Sequence, residues 1–309
     1  MRIAFLGTPD FAVPSLEALY DRGDDITVFT QPDRPKGRGG KMAMPEVKEK
    51  ALSLGIPVKQ FEKISTQDGV EALREFAPDL MVTAAFGQIL SKEVLDIPKF
   101  GCINVHASLL PEYRGAAPIQ QVIEDGKKVT GVTTMMTETG LDTGDILCVI
   151  KTQIGENETA GELFDRLSHI GGQCLIQTIE KLENGTLTRT PQDHSKATKC
   201  RTIKKEHGKI DFTKSAQKIH DLVRAMNPWP CAYCELNGEI IRIHRTLMHP
   251  EITTDSLPGT CIVANSKEGL FVATGDGVLE ITQIQLPGKK AMDAKALLNG
   301  KKMLGEVLG

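Results

Sequence analysis

Apolar residues enter this chain as short unbroken runs. Residues 2–7, 26–30 and 79–84 are nearly continuous in aliphatic and aromatic side chains, the pattern of parallel strands covered on both faces. Between them the apolar spacing lengthens to a helical period, over residues 11–22, 45–54 and 66–76. Asp10 stands where the first helix would take its N-cap, and Pro14 falls in the first turn, where proline is tolerated. Residues 58–60 read as a short strand, 101–106 as a further strand, 117–124 as a helix, and 129–136 with 146–152 as two more strands. Leu163, Leu167, Ile170, Leu175, Ile179 and Leu182 predict a long helix over 159–183, stopped by Asn184-Gly185. The alternation predicts an α/β fold with a Rossmann-like, doubly wound, mostly parallel sheet.

The pattern changes after residue 186. Residues 187–208 are polar, rich in lysine and contain Pro191, a composition suited to a linker. A helix is expected over 214–226, with Ile219, Leu222 and Val223 on its apolar side, ended by Asn227-Pro-Trp-Pro. Short strands follow, punctuated by Asn237-Gly, Pro258-Gly and Gly275-Asp-Gly, which predicts a small all-β barrel. The expected organisation is therefore a first domain over 1–189, a linker over 190–208 and a second domain over 209–309. Trp229 is expected in the core.

Composition narrows the possibilities. Of 309 residues, 40% are hydrophobic and 25% charged, enough apolar material for two real cores. No run of about eighteen apolar residues is present, so no membrane span is indicated. The first residues have too short an apolar stretch for a signal peptide and read as a strand. Seven cysteines, an odd number without a framework, favour a reducing cytosol. Cys231 and Cys234 form a CxxC pair, but no second pair nearby could complete a zinc site, so apolar filling is expected and no metal. A G-x-G-x-x-G fingerprint is lacking, which argues against dinucleotide binding. Residues 190–309 hold 17 Lys and Arg against 13 Asp and Glu, whereas residues 1–189 hold 20 against 27. A basic second half points to a polyanionic partner.

Candidate chemistry gathers in residues 102–115, Cys-Ile-Asn-Val-His-Ala-Ser-Leu-Leu-Pro-Glu-Tyr-Arg-Gly. Asn104 and His106 alternate on the strand and so share a face, at its carboxyl end, where open α/β sheets bind ligands. Gly-Leu-Asp-Thr-Gly-Asp at 140–145 can present Asp142 from a glycine-bracketed loop. Taken alone, a strand-end histidine is more often structural than catalytic, and Asp-Thr-Gly is usually a turn. Residues 31–45 pack three prolines, three glycines and four cations into fifteen positions. That composition excludes a helix or central strand and leaves a solvated loop or a basic arm that closes over a phosphate-bearing substrate.

The full wording of these stretches decides between the readings. Asn-x-His-x-Ser-Leu-Leu-Pro-x-Tyr-Arg-Gly followed by Gly-Leu-Asp-Thr-Gly-Asp resembles the signature of the folate-dependent formyltransferases. Residues 31–45 resemble the basic insertion of the methionyl-tRNA formyltransferases, and Asn227-Pro-Trp-Pro with Leu286-Pro-Gly-Lys-Lys-Ala-Met resembles their C-terminal domain, an OB-like β-barrel that binds tRNA. The resemblance implies formyl transfer from 10-formyltetrahydrofolate to the amine of initiator methionyl-tRNA, in translation initiation, by a cytoplasmic monomer. It implies catalytic Asn104, His106 and Asp142, with Ser108 not a nucleophile. It implies a folate site built from Phe86, Gly87, Gln88 and Ile89 with Ser108, Leu109, Leu110 and Pro111, and supported by Arg114. Arg38, Lys41, Lys289 and Lys290 are the implied tRNA contacts. A relative with a small amine acceptor, such as glycinamide ribonucleotide or an amino sugar, shares the Asn, His and Asp, and a non-catalytic RNA-binding protein is the rival of a different class.

Overall fold

Strand β1 (Arg2–Gly7) buries Ile3, Ala4, Phe5 and Leu6 completely, as a strand covered on both faces must. In the computed structural model, which describes residues 1–37 and 39–309, it sits inside a seven-stranded sheet. Up to residue 183 the chain runs through α1 (Val13–Asp21), β2 (Asp25–Thr30), α2 (Glu46–Ser53), β3 (Val58–Gln60), α3 (Gln67–Phe76), β4 (Leu80–Ala84), β5 (Cys102–His106), β6 (Val129–Met136), β7 (Ile146–Gln153) and the long helix α4 (Ala160–Glu183). The strand order is β7-β6-β5-β4-β1-β2-β3. β1 pairs in parallel with both β2 and β4, and β5 pairs in parallel with β4 and antiparallel with β6. This is the mostly parallel, Rossmann-like sheet that the apolar runs imply.

Register brings the chemistry together. Gly7 lies opposite Ala84, and Ala84 opposite Val105, so the carboxyl ends of β1, β4 and β5 come level. The strand order reverses where β1 meets β4, and such switch points open the crevice that α/β sheets use for ligands. Residues 31–45 do contain strands: Arg34–Lys36 pairs antiparallel with Lys41–Ala43. The proline is accommodated because this two-stranded ribbon is separate from the main sheet.

The compact units do not follow a single cut in the sequence. The first comprises Met1–Gly115, Thr130–Thr152 and Phe164–Cys200; the second comprises Ala116–Val129, Gln153–Leu163 and Arg201–Gly309. The stretch read as a linker is partly built into the first unit. Gln192 is buried, and Lys199–Cys200 pairs in parallel with Arg114–Gly115.

In the second unit, α5 (Ala216–Ala225) begins at Ser215, whose hydroxyl caps Lys218 N. Its buried face carries Ile219 and Val223, and also Asp221 and Arg224, paired at 2.6 Å. Six strands follow, β8 (Ala232–Leu236), β9 (Glu239–Met248), β10 (Cys261–Asn265), β11 (Gly269–Ala273), β12 (Val278–Gln285) and the short β13 (Met292–Asp293), the first five in the order β8-β9-β12-β11-β10 and β13 paired with β12. All their pairings are antiparallel. Asn237 and Gly238 join β8 to β9 with φ of +52° and +80°, the two positive values a tight type I′ hairpin needs. Trp229 corrects the expectation of a core residue: it is 54% exposed, held in the rigid Pro-Trp-Pro stop rather than on a strand. Cys231 and Cys234 are both buried.

Candidate active site

Asn104 and His106 leave the same face of β5, and each is tied down by a neighbour. Thr83, level with Asn104 on β4, donates its hydroxyl to Asn104 Oδ1 at 2.8 Å. The amide oxygen is thereby occupied, and the NH2 group is the end left for a ligand. His106 is buried, with Nε2 at 2.9 Å from the Tyr113 carbonyl. A carbonyl only accepts, so Nε2 carries the hydrogen and the neutral ring keeps its lone pair on Nδ1. That nitrogen lies 3.8 Å from Asp142 Oδ2, which itself accepts the Gly115 amide at 2.8 Å.

The backbone around this site is strained. Ala85, Tyr113 and Asp142 all have positive φ, at 44°, 61° and 51°, a region that costs non-glycine residues of order 1–3 kcal/mol each and concentrates at functional sites. Asp142 is held in place by its loop. A Cβ on Gly144 would come within 1.9 Å of the Met136 carbonyl, so only glycine allows that close approach. The arrangement offers one fixed amide donor, one imidazole nitrogen free to take a proton and one carboxylate to pair with the imidazolium. Such a set suits acyl transfer.

The other expected residues divide by what they already do. Ser108 is fully buried and donates its hydroxyl to the Glu112 carbonyl at 2.7 Å, so the hydroxyl is occupied internally. Leu110 is buried beside it, its amide bonded to Thr133 Oγ1, and the Leu110–Pro111 peptide is cis. Phe86 is buried, and its carbonyl accepts from Gln31 Nε2 at 2.9 Å. Gly87 has φ of +75°. The Gln88 amide is spent within the protein, accepting from Ile64 N and donating to the Phe61 carbonyl, so the backbone rather than this side chain is left for recognition. Ile89 is 89% exposed.

Among the expected cations, Lys41 is exposed on the two-stranded ribbon, and Arg38 lies outside the described residues. Lys289 and Lys290 are exposed after β12, in the second unit. Among the described residues, no group of three or more His, Cys, Asp or Glu could hold a metal ion, and no helix is long and apolar enough to cross a membrane.

Several groups at the site escape sequence reasoning. Thr83 orients Asn104, the Tyr113 carbonyl fixes the His106 tautomer and the Gly115 amide holds Asp142. Gln192 donates to the Asp142 and Gly144 carbonyls at 2.9 and 2.8 Å, and Thr198 Oγ1 accepts from Tyr113 N at 2.8 Å. Only Thr83 had a usable signal, being level with Asn104 on an adjacent strand. The others act through backbone or from a polar stretch without periodicity.

Residues 1–179 match the family description "Formyl transferase", and residues 202–302 match "Formyl transferase, C-terminal domain". A methionyl-tRNA formyltransferase of Acetivibrio thermocellus is 48% identical, aligned over all of both chains. The chain belongs to the methionyl-tRNA formyltransferase family. A second member, from Geotalea uraniireducens, is 49% identical to this formyltransferase over its whole length and 98% of the relative's. The fold recurs in a solved methionyl-tRNA formyltransferase from Clostridium thermocellum, with a TM-score of 0.58, 21% identity, and 81% and 94% of the two chains covered. It recurs too in HypX from Aquifex aeolicus in complex with tetrahydrofolic acid, with a TM-score of 0.66, 17% identity and 96% of this chain covered. This formyltransferase spans about half the length of HypX, 47% of that chain.

Proposed function

We propose that this formyltransferase moves the formyl group of 10-formyltetrahydrofolate onto the α-amine of methionyl initiator tRNA. The observation that supports it best is the pairing of buried His106 with Asp142 at 3.8 Å, with Asn104 on the same face of β5 two residues before the histidine, in a chain about half identical to methionyl-tRNA formyltransferases over its full length.

The amine must be neutral to attack, and α-amines have pKa values of about 7.7–8.0. It adds to the formyl carbon, forming the new C–N bond and a tetrahedral intermediate with an oxyanion. The Asn104 NH2 group donates to that oxyanion, a fixed donor of the kind worth roughly 2.7–4 kcal/mol in such sites. The amine's surplus proton passes to His106 Nδ1, directly or through one water, and the imidazolium is paired by Asp142. Collapse breaks the bond to folate N10, which takes the proton back from the imidazolium. Folate and formylated amine leave with the enzyme unchanged, so no covalent enzyme intermediate is formed.

In this reading the backbone at Phe86, Gly87, Gln88 and Ile89 recognises the pterin, and Ser108, Leu109, Leu110 and Pro111 shape the remainder of the folate site. Arg38, Lys41, Lys289 and Lys290 neutralise tRNA phosphates, whose contacts position the acceptor without reading sequence. The first unit, residues 190–200 included, carries the chemistry and the second the tRNA affinity, in a cytoplasmic monomer.

The test is formyl transfer by the full chain, with 10-formyltetrahydrofolate and charged initiator tRNA, against free methionine and glycinamide ribonucleotide as alternative acceptors. Transfer to the charged tRNA alone, abolished in Asp142→Ala, is the expected result. Transfer to a small amine instead would overturn the acceptor assignment, and transfer to none would overturn the reaction.

A further inference from the structure

Two loops hold the candidate catalytic groups, and one buried pair of side chains joins them. Residues 113–115 supply the Tyr113 carbonyl to His106 and the Gly115 amide to Asp142. Residues 140–145 carry Asp142 itself. Arg114, between Tyr113 and Gly115, is buried and donates from Nε and Nη2 to Gln192 Oε1 at 3.1 and 2.6 Å. The other end of the same amide, Gln192 Nε2, donates to the Asp142 and Gly144 carbonyls at 2.9 and 2.8 Å. Every polar atom of the Gln192 side chain is thus used, the oxygen twice and the nitrogen twice.

We infer that Gln192, clamped by Arg114, is a positioning residue for the formyl transfer proposed above: it fixes the distance between Asp142 and His106. The chemistry favours a neutral amide there. A glutamate would keep the acceptor for Arg114 but could not donate to two carbonyls. A leucine would leave the guanidinium without its acceptor, and among the described residues Arg114's other side-chain partner is His194 Nδ1, at 3.1 Å. The surrounding segment adds to the clamp. Thr198 bonds Tyr113 N through its hydroxyl and Arg114 N through its carbonyl, and Lys199 and Cys200 continue the pairing beside Arg114 and Gly115. A stretch whose composition reads as a tether therefore sets the geometry of the active site.

The inference rests on the reading of Asp142 and His106 as catalytic, and two measurements separate the two. In the full chain, Gln192→Ala and Gln192→Glu are expected to lower kcat on the order of 100-fold, as misplacement of about an ångström does, with both KM values changed less than about threefold. Gln192→Glu retains the acceptor for Arg114 but sets a carboxylate oxygen against the Asp142 and Gly144 carbonyls, so it should melt below the wild type and lose at least as much activity as Gln192→Ala. Introduced into Asp142→Asn, Gln192→Ala should cost little more, because residues acting as one unit are not additive. A full additive loss would mean a general structural role and overturn the inference, as would wild-type kcat in both variants. The second measurement needs no substrate. The imidazole NMR resonances of His106, assigned with His106→Gln, should move in Gln192→Ala toward their positions in Asp142→Asn. Unmoved resonances would overturn the inference. Moved resonances in a protein that formylates nothing would overturn the functional reading and leave the clamp standing.

Discussion

Asp142 Oδ2 accepts the Gly115 amide at 2.8 Å while standing 3.8 Å from His106 Nδ1, so one oxygen is shared between holding the loop and facing the imidazole. The two duties can be separated. Asp142→Asn keeps an oxygen for the Gly115 amide but removes the charge that pairs with an imidazolium. Its melting temperature should stay within a few degrees of the wild type, while kcat falls about 10²–10⁴-fold, the usual range for disabled acid–base chemistry. Steady-state kinetics beside a thermal melt decides the matter, and near-normal kcat would remove the carboxylate from the mechanism.

Thr83 offers a second test of geometry. Its hydroxyl occupies Asn104 Oδ1 and so aims the NH2 group. Thr83→Val preserves shape and removes that bond, leaving the amide free to turn over. The expected loss is about tenfold in kcat with little change in KM for folate, in line with a misdirected oxyanion donor. Equal kcat in variant and wild type would show that Asn104 needs no orienting partner.

The start of α4 makes an acid-sensitive contribution to stability. Glu162 accepts from Thr159 N and Thr159 Oγ1, while Glu162 N bonds the Thr159 hydroxyl, a capping box. The Thr159 amide, and then the Arg245 guanidinium, pull its carboxyl down to about 2 from the usual 4.5. A depressed carboxyl stabilises the fold above its unfolded value, and that stability disappears as pH falls through the folded one. Urea unfolding should find Glu162→Gln less stable than wild type at pH 7, with the deficit narrowing between about pH 4.5 and 2. Thr159→Ala should cost about 1 kcal/mol at neutral pH, the typical worth of a cap. A deficit that does not change with pH would contradict the ionised cap.

His249 behaves with the opposite sign. Burial alone would push its imidazole down, but Glu251 and Glu280, each at 2.8 Å, outweigh that and hold it above the ordinary value of 6.5. A raised base stabilises fully below its unfolded pKa, and the contribution vanishes as pH rises through the folded one. His249→Gln should therefore lose more melting temperature at pH 6 than at pH 9. An equal loss at both would place the histidine's value in its packing against the Phe271 ring, 5.0 Å away between centroids.

Much of this was legible in the sequence. The buried strands of the first sheet announced themselves because both faces need apolar side chains. Asn104, His106 and Asp142 were singled out by the family wording of their two stretches, since a strand-end histidine and an Asp-Thr-Gly turn taken alone read as structural. Gln192 and Thr198 were not visible, since a buried polar clamp resembles a solvated stretch when only composition is read. Trp229 failed for a related reason, because its size says core while the prolines on either side hold it on the surface. The backbone groups of Tyr113 and Gly115 have no signature at all, being present at every position of every chain.

The segmented makeup of the second unit limits how the protein can be taken apart. Buried Arg224 rests on the carbonyls of Gly155 and Glu158, and His220 on that of Glu156, none of which lies within residues 201–309. A fragment cut at 190–208 would keep the Arg224–Asp221 and His220–Thr246 pairs but leave the three carbonyls that complete them on the other piece. The second unit is therefore not a module that one cut can release: severing the chain within 190–208 divides it.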